Sequence, residues 1–163
     1  MNEQAQRIIG KISEVIVRHD VQPGFPDANG NKNVTWCNRG ANYIASELGF
    51  DMRPFLEPRG IGWTNANAMY RNAEKNAKEI DGREAQEITN NGGLVLVACY
   101  NPSGPGHVAV VCPTDKEYDD TIGPLVGETG ARCRITHTRE AFERWGYKAR
   151  FFVIPKINGG ENE

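Results

Sequence analysis

The chain has no apolar run near the roughly 20 residues that span a bilayer, which excludes a transmembrane segment. Its opening stretch, MNEQAQRIIGKISEVIVRHD, is charged throughout and lacks the apolar core of a secretory leader. Cytoplasmic synthesis is therefore expected, with release or delivery by other means if the protein works outside; the Asn33-Val34-Thr35 glycosylation pattern then means little. Charge of one sign is also missing: the net value is −2 over 163 residues, so no global basic field points to nucleic acid. Cysteine and histidine are sparse. The four cysteines, Cys37, Cys99, Cys112 and Cys133, form no C-x-x-C pair and the histidines show no paired spacing, which argues against a zinc knuckle. A cytoplasmic start argues against structural disulfides. No metal and no cofactor is expected. There are no internal repeats, and the glycine-rich GPLVGETG (123–130) has no lysine and the wrong spacing for a phosphate loop. The charge-rich YRNAEKNAKEIDGRE reads as a solvated face.

What is present suits one domain with a real core. The 18 glycines and nine prolines suggest a loop-rich architecture rather than a helical bundle. Ile8, Ile9, Ile12, Val15 and Ile16 form an amphipathic stripe over residues 4–18. DVQPGFPDANGNKNVT follows as a long loop. A helix is predicted from about 37 to 48, with Ala41, Ile44, Ala45 and Leu48 on one face and Gly49 as its terminal cap. Thr64 is predicted to cap a polar helix running through WTNANAMYRNAEKNAKEI, and GREAQEITNNGG reads as a short helix. The character then changes. LVLVACY (94–100) and HVAVVCP (107–113) are strand-like runs joined by the turn cluster NPSGPG, and should pair as an antiparallel hairpin. PLVGET and RCRI are weaker strands, TREAFERW a short helix with Glu140 near its start, and YKARFFVIP a last strand. Helices followed by an antiparallel sheet define a single α+β domain over 1–155, with 1–33 as a helical extension and loop and KINGGENE (156–163) as a disordered tail.

Cys37 sits at the mouth of the 37–48 helix, ahead of its apolar face. There it meets the positive end of the helix dipole and unpaired N–H groups, which favour a nucleophilic thiolate and can later hold an oxyanion. A buried cysteine at a helix start is the plain alternative. His107 tips the balance: it opens the second hairpin strand after Gly104-Pro105-Gly106, on a rigid apolar mount suited to a general base. His19 and His137 have no such setting and read as surface residues. A cysteine–histidine pair needs a third polar group to orient the imidazole. Glu128 on the next strand can supply it, Thr129 less well, and Glu128 as a plain surface charge is the alternative.

The helix-start cysteine of TWCNRGANYIASELGF, followed about 70 residues later by GPGHVAVV on a strand and then by a polar residue on the following strand, resembles the papain-like peptidoglycan hydrolases of the CHAP (cysteine, histidine-dependent amidohydrolase/peptidase) and NlpC-type domains. The resemblance spans about residues 34–155, and its specific motifs are those around Cys37 and His107. It implies a papain-like fold with N-terminal helices packed on a small antiparallel sheet. It also implies Cys37 as nucleophile, His107 as base, and Glu128 loosely as the orienting residue, where family members vary. The implied substrate is the peptide part of peptidoglycan, cut as an N-acetylmuramoyl-L-alanine amidase or as a stem-peptide endopeptidase. Trp36 and Trp63 could line the cleft or simply pack in the core; Asn38, Asn65 and Asn67 could bond the stem peptide or act as caps. A phage or prophage lysis enzyme fits, as does a delivered amidase toxin, which would have an immunity protein as partner. The alternatives are a papain-like protease acting on proteins and a catalytically inert wall-binding or phage structural module. Intact Cys37 and His107 count against the last.

Overall fold

Every residue of β2 (Leu94–Cys99) is buried. Leu94, Leu96 and Ala98 face one core, while Val95, Val97 and Cys99 face another. A strand covered on both faces reads as an unbroken apolar run, as LVLVAC does, and it must lie inside its sheet. Here β3 (His107–Val111) flanks it on one side and β6 (Arg150–Ile154) on the other, both antiparallel, with Leu96 opposite Val110 and Phe152. The LVLVACY–HVAVVCP hairpin thus forms as the turn cluster predicts. β4 (Leu125–Glu128) adds to β3, and β5 (Arg134–His137) adds to β4. The far edge is β1 (Glu79–Ile80), paired with β6, giving the order β1-β6-β2-β3-β4-β5. These elements come from the computed structural model, which describes residues 1–157.

The fold is α+β, a mixed arrangement of helices and one antiparallel sheet. Three helices cover one face. In α1 (Glu3–Val15) the stripe works as expected: Ile8, Ile12 and Val15 are fully buried, and Ile9 and Ile16 pack at the margin. α2 (Cys37–Glu47) buries Ala41, Ile44 and Ala45, and the chain leaves it at Gly49, whose φ of 86° is the left-handed turn glycine takes without strain. α3 (Ala66–Asn76) buries Met69 and Ala73. The opposite face carries α4 (Gly82–Asn90) and α5 (Thr138–Ala141), through Ala85, Ala141 and Phe142. The sheet is therefore a middle layer.

Several sequence readings need correction. The cap of α3 is Asn65, whose side-chain oxygen accepts from the Ala68 N–H at 2.9 Å; Thr64 turns inward, donating to the Gly60 carbonyl at 2.8 Å. That helix stops at Asn76 rather than running to Ile80, because Glu79 and Ile80 leave to pair with β6. TREAFERW is one α-helical turn and then a 3-10 turn (Glu143–Trp145), broken where Phe142 enters the core. Two residues of the expected tail are held in place: Lys156 bridges Phe50, and the Ile157 N–H donates to the Gly49 carbonyl at 3.0 Å. The rest of it, 158–163, lies outside the described residues. Among the described residues, no helix is long and apolar enough to cross a membrane.

Candidate active site

The first turn of α2 is chemically open. Its N-cap is Trp36, which supplies no capping side chain; the Arg39 N–H donates to Asn38 Oδ1 at 2.9 Å, while the leading N–H, that of Cys37, makes no hydrogen bond among the described residues. Cys37 stands at this end, 6% exposed. The backbone N–H groups of Asn38, in its own helix, and Val108, on β3, favour the charged form of its sulfur. Gly130, just past β4 and beside the Cys37 backbone, has a φ of 113°, a conformation that favours glycine.

His107 is the first residue of β3, where the strand meets the helix start. Its Nε2 lies 2.7 Å from Oε1 of Glu128, which leaves Nδ1 to act on Cys37, the neighbour that most favours the charged ring. The ring also packs on fully buried Phe142, with centroids 4.9 Å apart, so its plane is fixed by packing as well as by polar contact. Register explains why Glu128 can reach. Val110 pairs with Gly127, so the ladder continues with Ala109 opposite Glu128. His107 shares the face of Ala109, which makes Glu128 its diagonal cross-strand neighbour, within reach of a long side chain. Glu128 is 4% exposed, and its second oxygen accepts from Arg134 Nε at 2.8 Å, its direct partner on β5. A buried carboxylate with both oxygens engaged in charged hydrogen bonds is a firm anchor.

The protonation states follow. Burial pushes the Cys37 thiol up, but the hydrogen bond and charge of His107, with the two backbone N–H groups, outweigh it and hold the thiol below its usual value. Burial opposes the charged form of His107 too, yet the bonds to Cys37 and Glu128 push it up to about 9. Glu128, despite desolvation, is held down by His107 and Arg134. All three directions favour a thiolate–imidazolium pair standing on a carboxylate. Such a pair can attack an electrophilic carbon and return a proton to a leaving group.

Two pockets flank the pair. One, of about 380 Å³, surrounds Cys37 and is lined by Asn38, Asn65, Asn67 and Pro105 among others. The other, of about 340 Å³, surrounds His107 and Glu128. They meet at Thr35 and Gly106, which line both.

The structure thus brings Cys37, His107 and Glu128 together, and it redistributes the other candidates. Trp36 lines neither pocket; its indole donates to the Phe25 carbonyl at 2.9 Å and carries the Arg39 guanidinium at 3.7 Å. Trp63 is 61% exposed under Arg59 and also lines neither. Asn38 and Asn65 do line the Cys37 pocket, but both have structural work. Asn38 donates to the Thr64 carbonyl at 2.8 Å, and Asn65 caps α3. Thr129 donates to the Trp36 carbonyl at 2.9 Å rather than orienting His107. Asn67 fastens the loop that delivers His107: its amide donates to the carbonyls of Asn101 and Gly104 and accepts from the Asn101 N–H. Arg134 escaped notice because its role depends on the β4–β5 register. The only sequence signal was an opposite charge across a short turn from Glu128. Among the described residues, no group of His, Cys, Asp and Glu could hold a metal ion.

All four cysteines are free thiols. Desolvation pushes Cys99 up to about 11 and Cys112 up to about 12, and both are 1% exposed. Cys133 is also raised by burial and sits against the Val21 carbonyl. Iodoacetamide at neutral pH should therefore alkylate Cys37 well ahead of the other three, as read by peptide mapping. Equal labelling of all four would contradict a selectively ionised Cys37.

No family model matches the chain, and no curated protein matches it in sequence.

Proposed function

We propose that the protein is a papain-like cysteine hydrolase that cuts amide bonds in the peptide part of bacterial peptidoglycan. The observation that carries this is the continuous contact Cys37–His107–Glu128, with the thiol at an uncapped helix start between two pockets. The substrate class is supported by the resemblance of TWCNRGANYIASELGF and GPGHVAVV to wall hydrolases. In the reaction, the Cys37 thiolate attacks the amide carbonyl while the first-turn N–H of Cys37 donates to the developing oxyanion. The C–N bond breaks as His107 protonates the leaving amine. Water then attacks the thioester, passes a proton to His107, and frees the acid product and the thiolate. Mass analysis of fragments from purified peptidoglycan should show free stem peptides for an amidase, or split cross-links and shortened stems for an endopeptidase. Digestion of unfolded protein, with peptidoglycan left intact, would instead mark a protease of the same mechanism.

The pH profile tests the pair. kcat/KM should be bell-shaped, failing on the acid side as the thiolate takes up a proton and on the alkaline side as the imidazolium loses one, toward about 9. Glu128 favours the imidazolium, so Glu128→Gln should move the alkaline limb to lower pH. It should cost less activity than loss of Cys37 or His107, since an amide oxygen still accepts from the ring. An unmoved alkaline limb would remove Glu128 from its orienting role.

A further inference from the structure

The two pockets are not equivalent, and the difference has a chemical reading that rests on the hydrolase function proposed above. In amide cleavage the acyl half stays bonded to the Cys37 sulfur, while the amine half departs from the side of the group that protonates it. The pocket lined by His107 is therefore the place of the amine half. Among the described residues its wall carries one cation with nothing to neutralise it. Arg132 is exposed, and among the described residues it makes no hydrogen bond or salt bridge; its guanidinium lies over the Trp145 ring at 4.6 Å. Arg144, 5.5 Å from the centre of the same ring, is already paired with Glu140 at 2.8 Å. Among the described residues the only acid lining the pocket is Glu128, whose oxygens are held by His107 and Arg134. Trp145 is 45% exposed, and Tyr147 on the same wall is tied by its hydroxyl to Asn101 at 3.1 Å. A guanidinium held over an indole face still has N–H donors to offer a planar acceptor.

We propose that this pocket is the leaving-group subsite, and that Arg132, backed by Trp145, binds a carboxylate carried by the amine half of the substrate. The amine product would then be an amino acid or peptide with a carboxylate close to the newly freed amine. Arg132 is a specificity determinant here and takes no part in bond breaking.

The reverse half-reaction isolates the subsite from the identity of the full substrate. p-Nitrophenyl acetate acetylates the thiolate, with p-nitrophenolate leaving. An added amine then attacks the thioester, its lost proton passes to His107, and the C–S bond breaks to give the N-acetyl amine and free thiolate. Glycine carries a carboxylate beside its amine, and glycinamide does not. With the full chain at one fixed pH, deacylation by glycine should saturate. Arg132→Gln should raise the half-saturating concentration roughly tenfold, the size of a charge-assisted contact. The response to glycinamide should change by less than about twofold. Arg59→Gln removes a comparable guanidinium–indole pair outside both pockets and should preserve the wild-type preference. Identical glycine dependence in wild type and Arg132→Gln would overturn the subsite while leaving the hydrolase intact. Failure of p-nitrophenyl acetate to acetylate Cys37 in the wild type would overturn the hydrolase itself, and the subsite with it.

Discussion

His107→Ala and Cys37→Ala should each lower turnover of peptidoglycan by at least roughly a thousandfold, and the double variant should be hardly worse than either. The reason is that the two side chains form one device. Without the imidazole, burial at 6% exposure drives the thiol toward its neutral form and no acid remains for the leaving amine. Without the thiol, the imidazolium has nothing to activate. Rates of fragment release for the three variants, with circular dichroism to verify folding, check this. Additive losses would mean that Cys37 and His107 act separately, and the contact between them would lose its mechanistic meaning.

The largest structural effect is expected at Gly40. A Cβ at this position would stand 2.0 Å from Oγ1, 2.7 Å from Cγ2 and 2.8 Å from Cβ of Thr129. Thr129 cannot swing away, because it is 2% exposed and its hydroxyl is bonded to the Trp36 carbonyl. Alanine in a helix interior would gain about 1 kcal/mol over glycine, but overpacking of a filled site costs about 1–3 kcal/mol and more when nothing can move. Gly40→Ala should therefore lose roughly 2 kcal/mol net by denaturant unfolding. It should also lose activity, since it pushes the Cys37 helix off the strand that carries Glu128. Thr129→Gly removes all three clashing atoms, so the double variant should be more stable than the sum of the single losses, with a coupling of about 1 kcal/mol or more. A Gly40→Ala protein as stable and active as wild type would show that the helix does not seat against β4 this closely.

Much of the site could be read in the sequence because it depends on local pattern. The α2 start follows from the polar loop and the spacing of Ala41, Ile44 and Ala45, and the hairpin from two apolar runs about a proline–glycine turn. Gly49 ended its helix as capping chemistry requires. What could not be read depends on register and on three-dimensional fit. β1 has only two residues and exists through its pairing with β6. Arg134 matters because it lies directly opposite Glu128, which no spacing rule specifies in advance. Gly40 looked like one more small residue in a helix, and only the Thr129 contact explains it. Trp36 and Trp63 drew attention as aromatics near polar runs, yet their partners are Arg39 and Arg59 rather than the cleft. Asn65 and Thr64 exchanged roles because a one-residue shift in a cap is decided by which side chain finds a buried partner, and Thr64 found the Gly60 carbonyl.

Every amide bond cut by a hydrolase exposes one new amine, so the measurement closest to the central claim is the release of amines from purified peptidoglycan over time. Wild-type protein should release them steadily, and the same preparation carrying Cys37→Ala should release none above the enzyme-free control. Absence of amine release by the wild type, or equal release by Cys37→Ala, would contradict a Cys37-dependent peptidoglycan hydrolase.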